Sequence, residues 1–240
     1  MISKSIEEQH YSLLLPVLLL KLDNLIKSVF YDMFGDPVTN EKRWIESKIE
    51  DVIADEKNAI KAGPFGSALK KECYVKKGYK IYGQEQVINN DVTFGDYYIS
   101  DEKFKELENC AIKEDDVLIS LVGTYGKLLI IPKEFEKGII NPRLMKITFD
   151  KGKVNTTYFK YYFTSESMKN VISDKSRGGT MDILNVGIVR KLVMPLPPLS
   201  LQNQLATIVT KIEEQKSLVQ KAIDETQLLF DSLMSQYFDQ

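Results

Sequence analysis

From Met194 the sequence reads Met194-Pro195-Leu196-Pro197-Pro198-Leu199-Ser200 and then continues to Gln240 without a glycine or a proline. Alternate steps of four and three residues from Leu201 meet Leu201, Leu205, Ile208, Ile212, Gln215, Val219, Ala222, Thr226, Leu229, Leu233 and Gln236, and eight of these eleven are apolar. A repeat of about 3.5 residues is the seam of a coiled coil, narrower than the stripe of a helix lying on a globular core. At 1.5 Å per residue such a helix reaches roughly 60 Å, about twice the width of a small domain. A rod of that length cannot bury its seam alone.

A second seam runs through Tyr11, Leu15, Leu18, Leu22, Leu25 and Val29, with Pro16 as an expected break or kink near its start. It stops at Gly35-Asp36-Pro37, a helix terminator followed by a turn. The apolar run Leu13 to Leu20 is interrupted by Pro16 and falls far short of the ~20 residues of a membrane span, and no small-residue cleavage pattern follows it. The two helices end alike, in Ser28-Val29-Phe30-Tyr31-Asp32-Met33-Phe34 and Ser232-Leu233-Met234-Ser235-Gln236-Tyr237-Phe238, as expected of a chain cut from a repeating helix, domain, helix arrangement.

Between them, from about Trp44 to Met194, short β-branched and aromatic runs alternate with Gly, Asn and Asp. Strands are expected at Tyr79 to Tyr82, Asp96 to Ser100, Val117 to Val122, Leu128 to Ile131, Leu144 to Phe149 and Val189 to Met194. Helices are expected at Glu46 to Ala54, near Asp101 to Glu108, and over Thr156 to Val171. The fold class is therefore α+β: one globular domain of short strands and helices over 37–195, with long coiled-coil helices at 1–36 and 196–240.

The loops of this domain carry the candidate chemistry. Over Lys57 to Lys80 seven lysines (57, 61, 70, 71, 76, 77 and 80) face a single acid, Glu72, a local balance of +6 in a chain whose net charge is -2. Within it, Lys61-Ala62-Gly63-Pro64-Phe65-Gly66-Ser67 sets glycines, which let a backbone approach a phosphate, among the lysines that favour one. A solvated basic turn would have the same composition. Val122-Gly123-Thr124-Tyr125-Gly126-Lys127 is a strand, turn, strand sequence with a lysine at its exit; it lacks the spacing of a nucleotide-binding Walker loop and reads equally as a plain hairpin. Asn141-Pro142-Arg143-Leu144 and Lys175-Ser176-Arg177-Gly178-Gly179-Thr180 each place an arginine where it could read guanine edges, hold phosphates, or simply face solvent.

Catalytic and metal patterns are scarce. His10 is the only histidine, and Cys73 and Cys110 are far apart, so no zinc set can be assembled from these residue types and reduced thiols are expected. The best nuclease-like pattern is Asp36 with Glu46 and Lys48, two carboxylates for Mg²⁺ beside a lysine, although Asp36 before Pro37 also fits turn chemistry.

In order, the stretches Met33-Phe34-Gly35-Asp36-Pro37, Gly63-Pro64-Phe65-Gly66-Ser67, Tyr82-Gly83-Gln84-Glu85-Gln86-Val87, Asp115-Asp116-Val117-Leu118-Ile119-Ser120 leading to Gly123 and Gly126-Lys127, Asn141-Pro142-Arg143-Leu144-Met145, Gly178-Gly179-Thr180 and Leu196-Pro197-Pro198-Leu199 resemble the specificity subunit of type I restriction-modification systems. Together they span nearly the whole chain. The resemblance implies a non-catalytic subunit without cofactor or metal, cytoplasmic, that recognises double-stranded DNA and recruits methyltransferase subunits and an endonuclease/translocase subunit. Family members typically look like two target-recognition domains held apart by two long helices. This chain has one such domain, so it resembles a half-length form, and Leu201-Gln202 stands where Glu-Gln is commoner, with Ser200 still available to cap the helix.

The contacts to DNA are expected from Lys61, Phe65, Ser67, Thr124, Tyr125, Lys127, Arg143, Lys175 and Arg177, the lysines on phosphates and Tyr125, Arg143 and Arg177 on bases. A homodimer through the helices is expected to read an inverted repeat with a fixed gap. Two other classes share the sequence: the Mg²⁺ nuclease on Asp36, Glu46 and Lys48, and a coiled-coil adaptor whose central domain binds protein.

Overall fold

The computed structural model describes the backbone of residues 2–65, 67–122, 127–176 and 184–238, with side chains from residue 15 onward except 176, 237 and 238. Two compact units result, one formed by 1–33 with 204–240 and one by 34–203. The first contains most of two long helices, α1 (Ile2–Phe34) and α7 (Leu199–Phe238). α1 continues through Pro16 instead of breaking there. The Lys216 ammonium sits 2.7 Å from the Asp23 carboxylate, joining the two helices. Burial alone would lower the pKa of Lys216, and the hydrogen bonds from it to Asp23 and Glu213 outweigh that and hold it above the ordinary lysine value.

The sheltered positions on both helices differ by one residue from part of the predicted seam. On α7 the shared line is Leu205, Ile212, Val219, Thr226 and Leu233, whereas Ile208, Gln215 and Leu229 are exposed and Val209, Lys216 and Ile223 are the covered ones. On α1, Leu18 and Leu25 are exposed and Leu19 and Ile26 sheltered. The predicted heptads therefore match most sheltered positions, including Leu201 and Ala222 on α7 and Leu15, Leu22 and Val29 on α1, and miss by one residue at Ile208 and Gln215 and at Leu18 and Leu25.

Among the described residues, the unit over 34–203 holds three small sheets. β1 (Glu46–Lys48) pairs antiparallel with β10 (Val193–Pro195). β2 (Ile60–Ala62), β9 (Leu144–Ile147), β6 (Val117–Ser120) and β7 (Leu128–Ile130) form an antiparallel sheet in that order. β3 (Tyr74–Val75), β5 (Tyr98–Ile99), β4 (Tyr79–Tyr82) and β8 (Gly138–Ile140) form the third, with β4 and β8 parallel. The helices are α2 (Gln84–Asn89), α3 (Asp101–Glu106), α4 (Thr156–Phe163), α5 (Glu166–Ser176) and α6 (Val186–Arg190). β6 and β9 are buried along their whole lengths, which is why they read as apolar runs and not as alternation. Ile81, Tyr82, Leu118, Leu129, Ile139 and Leu144 belong to one core cluster.

Three expectations fail locally. Glu46 to Ala54 is helical only in the 3₁₀ turn Ile49–Asp51: the helix-like spacing of Ile45, Ile49 and Val52 gives way to strand pairing of Glu46–Lys48 with β10. Val189 to Met194 is only partly a strand, because the Asn185 side chain accepts the Ile188 amide at 3.0 Å and caps α6 first. Ser200 lies inside α7 and does not cap it; the Pro198 carbonyl accepts the Leu201 and Gln202 amides. Gln202, fully buried, donates to the carbonyls of Pro197 and Lys153 at 2.9 and 3.1 Å and accepts the Asn155 amide at 2.9 Å, fixing the helix start to the neighbouring loop.

Candidate nucleic-acid interface

β2 delivers Lys61 and Ala62 opposite Lys146 and Met145 of β9, and the chain then turns at Gly63. The Gly63 amide donates to the Leu144 carbonyl at 2.8 Å. Its Cα lies so close to the next turn that a Cβ there would meet the Asn141 carbonyl oxygen at 1.9 Å, so no larger residue fits without moving backbone. Pro64 is buried, Phe65 is 90% exposed, the Ala68 amide closes a turn on the Phe65 carbonyl at 2.8 Å, and Leu69 returns to the core. Ser67 is exposed beside Phe65, and Lys61 is half-buried with its ammonium 3.5 Å from the Asn58 side-chain oxygen.

Asn141 organises the adjoining turn. Its amide donates to the Tyr82 carbonyl at 2.8 Å, and its side-chain oxygen accepts the Arg143 amide at 2.9 Å, the geometry of an Asx-turn. Arg143 is thereby exposed, with Nη1 3.4 Å from Oε1 of Gln84. Gln84 donates through Nε2 to the Ser120 hydroxyl at 2.7 Å and to the Val122 carbonyl. The Leu121 amide donates to the Arg143 carbonyl at 2.9 Å, and the Leu184 amide to the Leu121 carbonyl at 3.2 Å. Lys127, exposed, faces the end of β6, its carbonyl accepting the Ser120 amide at 3.3 Å.

Stretches that are far apart in sequence, around 61–69, 82–84, 120–122 with 127, 141–143 and 184, therefore meet at one end of two sheets. Of the residues singled out from sequence, Lys61, Phe65, Ser67, Lys127 and Arg143 lie in these converging segments. Thr124, Tyr125 and Arg177 lie outside the described residues. Lys175 is exposed near the end of α5, and no contact among the described residues joins it to the cluster. Gln84 and Asn141, which hold Arg143 outward, were not singled out as contacts. The Asn-Pro-Arg order could have suggested the Asx-turn; nothing local marks Gln84, whose partners are 36 and 38 residues away.

One lysine of the basic stretch does not belong to the surface. Lys80 is 1% exposed, donates to the Thr93 carbonyl at 2.9 Å and pairs with Glu136 at 2.7 Å, holding the Glu136 carboxyl below its usual range. Six lysines against Glu72 leave a balance of +5. Arg143 spends one donor on Gln84 and keeps the rest of its fork for a planar acceptor pair, a guanine edge or a phosphate. The Asp36 carboxylate accepts the Val38 and Thr39 amides at 2.8 and 3.1 Å, Glu46 accepts the Asn40 side chain at 3.1 Å, and Lys48 pairs with Glu50 at 3.6 Å, so each group of the nuclease reading has a local structural partner. Among the described residues no group of three His, Cys, Asp or Glu side chains could hold a metal ion.

The sequence model of the family described as type I restriction modification DNA specificity domain matches residues 41–227. A protein of Methanocaldococcus jannaschii provisionally named as the type I restriction enzyme MjaX specificity subunit is 22% identical over 200 residues, 81% of this chain and 45% of that protein. Among solved structures, a chain from a study of complex assembly and conformational transition of the type I R-M system is similar with a TM-score of 0.69 at 15% identity, over 99% of this chain and 55% of that one. The HsdS subunit of Thermoanaerobacter tengcongensis is similar with a TM-score of 0.61 at 15% identity and the same coverages. The type I S subunit of M. genitalium gives 0.57 at 12% identity, over 97% and 58%. The chain spans about half the length of the relatives it matches.

Proposed function

We propose, from the premise that the chain belongs to the family of type I restriction modification DNA specificity domains, that it recognises one half of a split DNA site through the cluster around Arg143. It carries no catalysis of its own and recruits methyltransferase subunits and an endonuclease/translocase subunit to that site in the cytoplasm. No described helix is long and apolar enough to cross a membrane.

The observation that carries this reading is the meeting of remote segments around Asn141, Arg143 and Gln84, with an exposed arginine held in place and Lys61 and Lys127 on the converging stretches. Lysines supply sequence-independent attraction to phosphates, and a fixed arginine fork can distinguish guanine. Titrating duplex DNA with the full chain over a range of salt tests it. Lys61→Ala and Lys127→Ala should each flatten the slope of log K against log salt by about 0.9 for every phosphate that the lysine neutralises. Arg143→Ala should instead cost about tenfold to a hundredfold in discrimination between the preferred site and others. Salt-independent binding, or none, would contradict the reading and favour a protein-binding adaptor.

The same proposal includes a homodimer through α1 and α7. It is supported by exposed leucines on each helix: Leu18 and Leu25 on α1 are 41% and 47% exposed, and Leu218, Leu228 and Leu229 on α7 are 59–69% exposed. A second copy would cover them and give a two-fold arrangement, so that the target is an inverted repeat. Light scattering at micromolar concentration should give twice the chain mass, and Leu229→Glu should shift it toward the monomer. A strict monomer for the unaltered chain would remove the dimer while leaving DNA recognition standing.

A further inference from the structure

We infer that Phe65 is an apolar wedge that enters the target duplex at a base step and unstacks it, an inference that rests on the DNA-recognition reading above. Phe65 is 90% exposed, the most exposed large hydrophobic side chain among the described residues. Nothing in its own unit shelters it, yet both flanks of its loop are fixed. Gly63 is seated on the Asn141 backbone, Pro64 and Leu69 are buried, and the Ala68 amide closes the turn on the Phe65 carbonyl. The ring thus stands clear of a turn anchored on both sides, within a lysine-rich stretch of the chain: Lys61 precedes it, and Lys70 and Lys71 follow, both exposed.

An apolar group surrounded by apolar neighbours would suggest a protein surface. A single exposed aromatic ring in a lysine-rich loop suits a partner with an anionic backbone and a stacked apolar interior, which is a nucleic acid duplex. The loop is also tied to the turn that exposes Arg143, because Gly63 touches Asn141 and Asn141 accepts the Arg143 amide. A ring inserted at one step would thus fix the register in which the arginine meets its base. It would also make recognition depend on how easily that step opens, a source of specificity at base pairs that no side chain contacts.

The test uses the full chain and a duplex that it selects from a randomised pool. Each adenine is then replaced in turn by 2-aminopurine and each cytosine by pyrrolocytosine, whose emission rises on unstacking. Emission should rise at one step on binding of the unaltered chain. Phe65→Ala should bind about tenfold more weakly and lose that rise, and Phe65→Trp should keep it. Because the side chain is exposed, the Ala variant should unfold at the same urea concentration as the unaltered chain. Selection of a duplex with no rise at any position, or an undiminished rise with Phe65→Ala, would overturn the wedge and leave DNA recognition intact. Failure to select any duplex would overturn both. Unchanged DNA binding by Phe65→Ala, with loss of association with a methyltransferase subunit, would reassign the ring to a protein contact.

Discussion

Lys146→Ala should destabilise the chain by about 3–5 kcal/mol in urea unfolding at neutral pH, the largest effect expected of any single replacement named for this protein. Lys146 lies on β9, 7% exposed, and its ammonium donates to the Ala111 carbonyl at 2.5 Å while standing 3.8 Å from the Asp116 carboxylate. Asp116 has no accessible surface; it accepts the Thr148 hydroxyl at 2.5 Å and the Lys113 amide at 2.9 Å. Burial pushes its carboxyl above the usual range, and the Thr148 hydrogen bond and the Lys146 charge only partly offset that. Without Lys146 the buried carboxylate keeps two hydrogen bonds and loses its nearest cation.

The pH dependence follows from the direction of that shift. A carboxyl raised in the folded state takes up its proton there before it does in the unfolded chain. It therefore favours folding below the ordinary carboxyl range, and this contribution is lost as pH rises through the raised value. Lys146→Ala raises the folded value further, so its deficit should be full at neutral pH and shrink as the solution is acidified toward the ordinary carboxyl range. Asp116→Asn added to Lys146→Ala should recover part of the loss at neutral pH. A deficit that stays the same at all pH values would mean that Lys146 acts by packing alone.

Gly63→Ala should cost about 3 kcal/mol in stability and reduce DNA affinity about tenfold even where circular dichroism shows the protein folded. The new Cβ would fall 1.9 Å from the Asn141 carbonyl oxygen and 2.4 Å from its carbon, both backbone atoms that no rotamer change can move. Either β2 or the 141–143 turn must shift, and Asn141 supplies the hydrogen bond that sets Arg143. The stability and binding losses should therefore appear together. A normal unfolding midpoint with normal binding would show that the two turns are not coupled through this contact.

The long helices were legible in the sequence because a periodic apolar line forty residues long depends on nothing but itself. Which residue of an adjacent pair is sheltered was not legible at every turn, since Ile208 and Val209 are equally apolar and only Val209 is buried. The α+β character was readable from β-branched runs, as were β4, β5, β6, β7 and β9, whereas β2, β3 and β8 were not, because their two or three residues show too little local pattern. Other exceptions came where pairing of distant segments overrode local spacing, as at Glu46 to Lys48, or where a cap intervened, as at Asn185. The family was readable from ordered motifs, and the match over residues 41–227 bears that resemblance out.

The converging cluster proposed to meet DNA was legible in part. Glycines, lysines and arginines in loops marked Lys61, Phe65, Lys127 and Arg143, because those residue types announce close approach and charge. Composition could not show that Lys80 is consumed by Glu136, nor that Gln84 bridges Ser120 and Arg143, because both depend on contacts across the fold. The Tyr82-Gly83-Gln84-Glu85-Gln86 stretch divides its work accordingly. Gln86 closes the start of α2 by accepting the Gly83 amide at 2.8 Å, and Gln84 faces the site.

Sequence-specific recognition of DNA is best measured by selection from a randomised duplex pool with the full chain. The expected result is enrichment of a split motif whose two halves are inverted copies, weakened by Arg143→Ala at a defined position within each half. Recovery of the pool without enrichment of any sequence, at salt concentrations where the chain is folded, would contradict sequence-specific recognition.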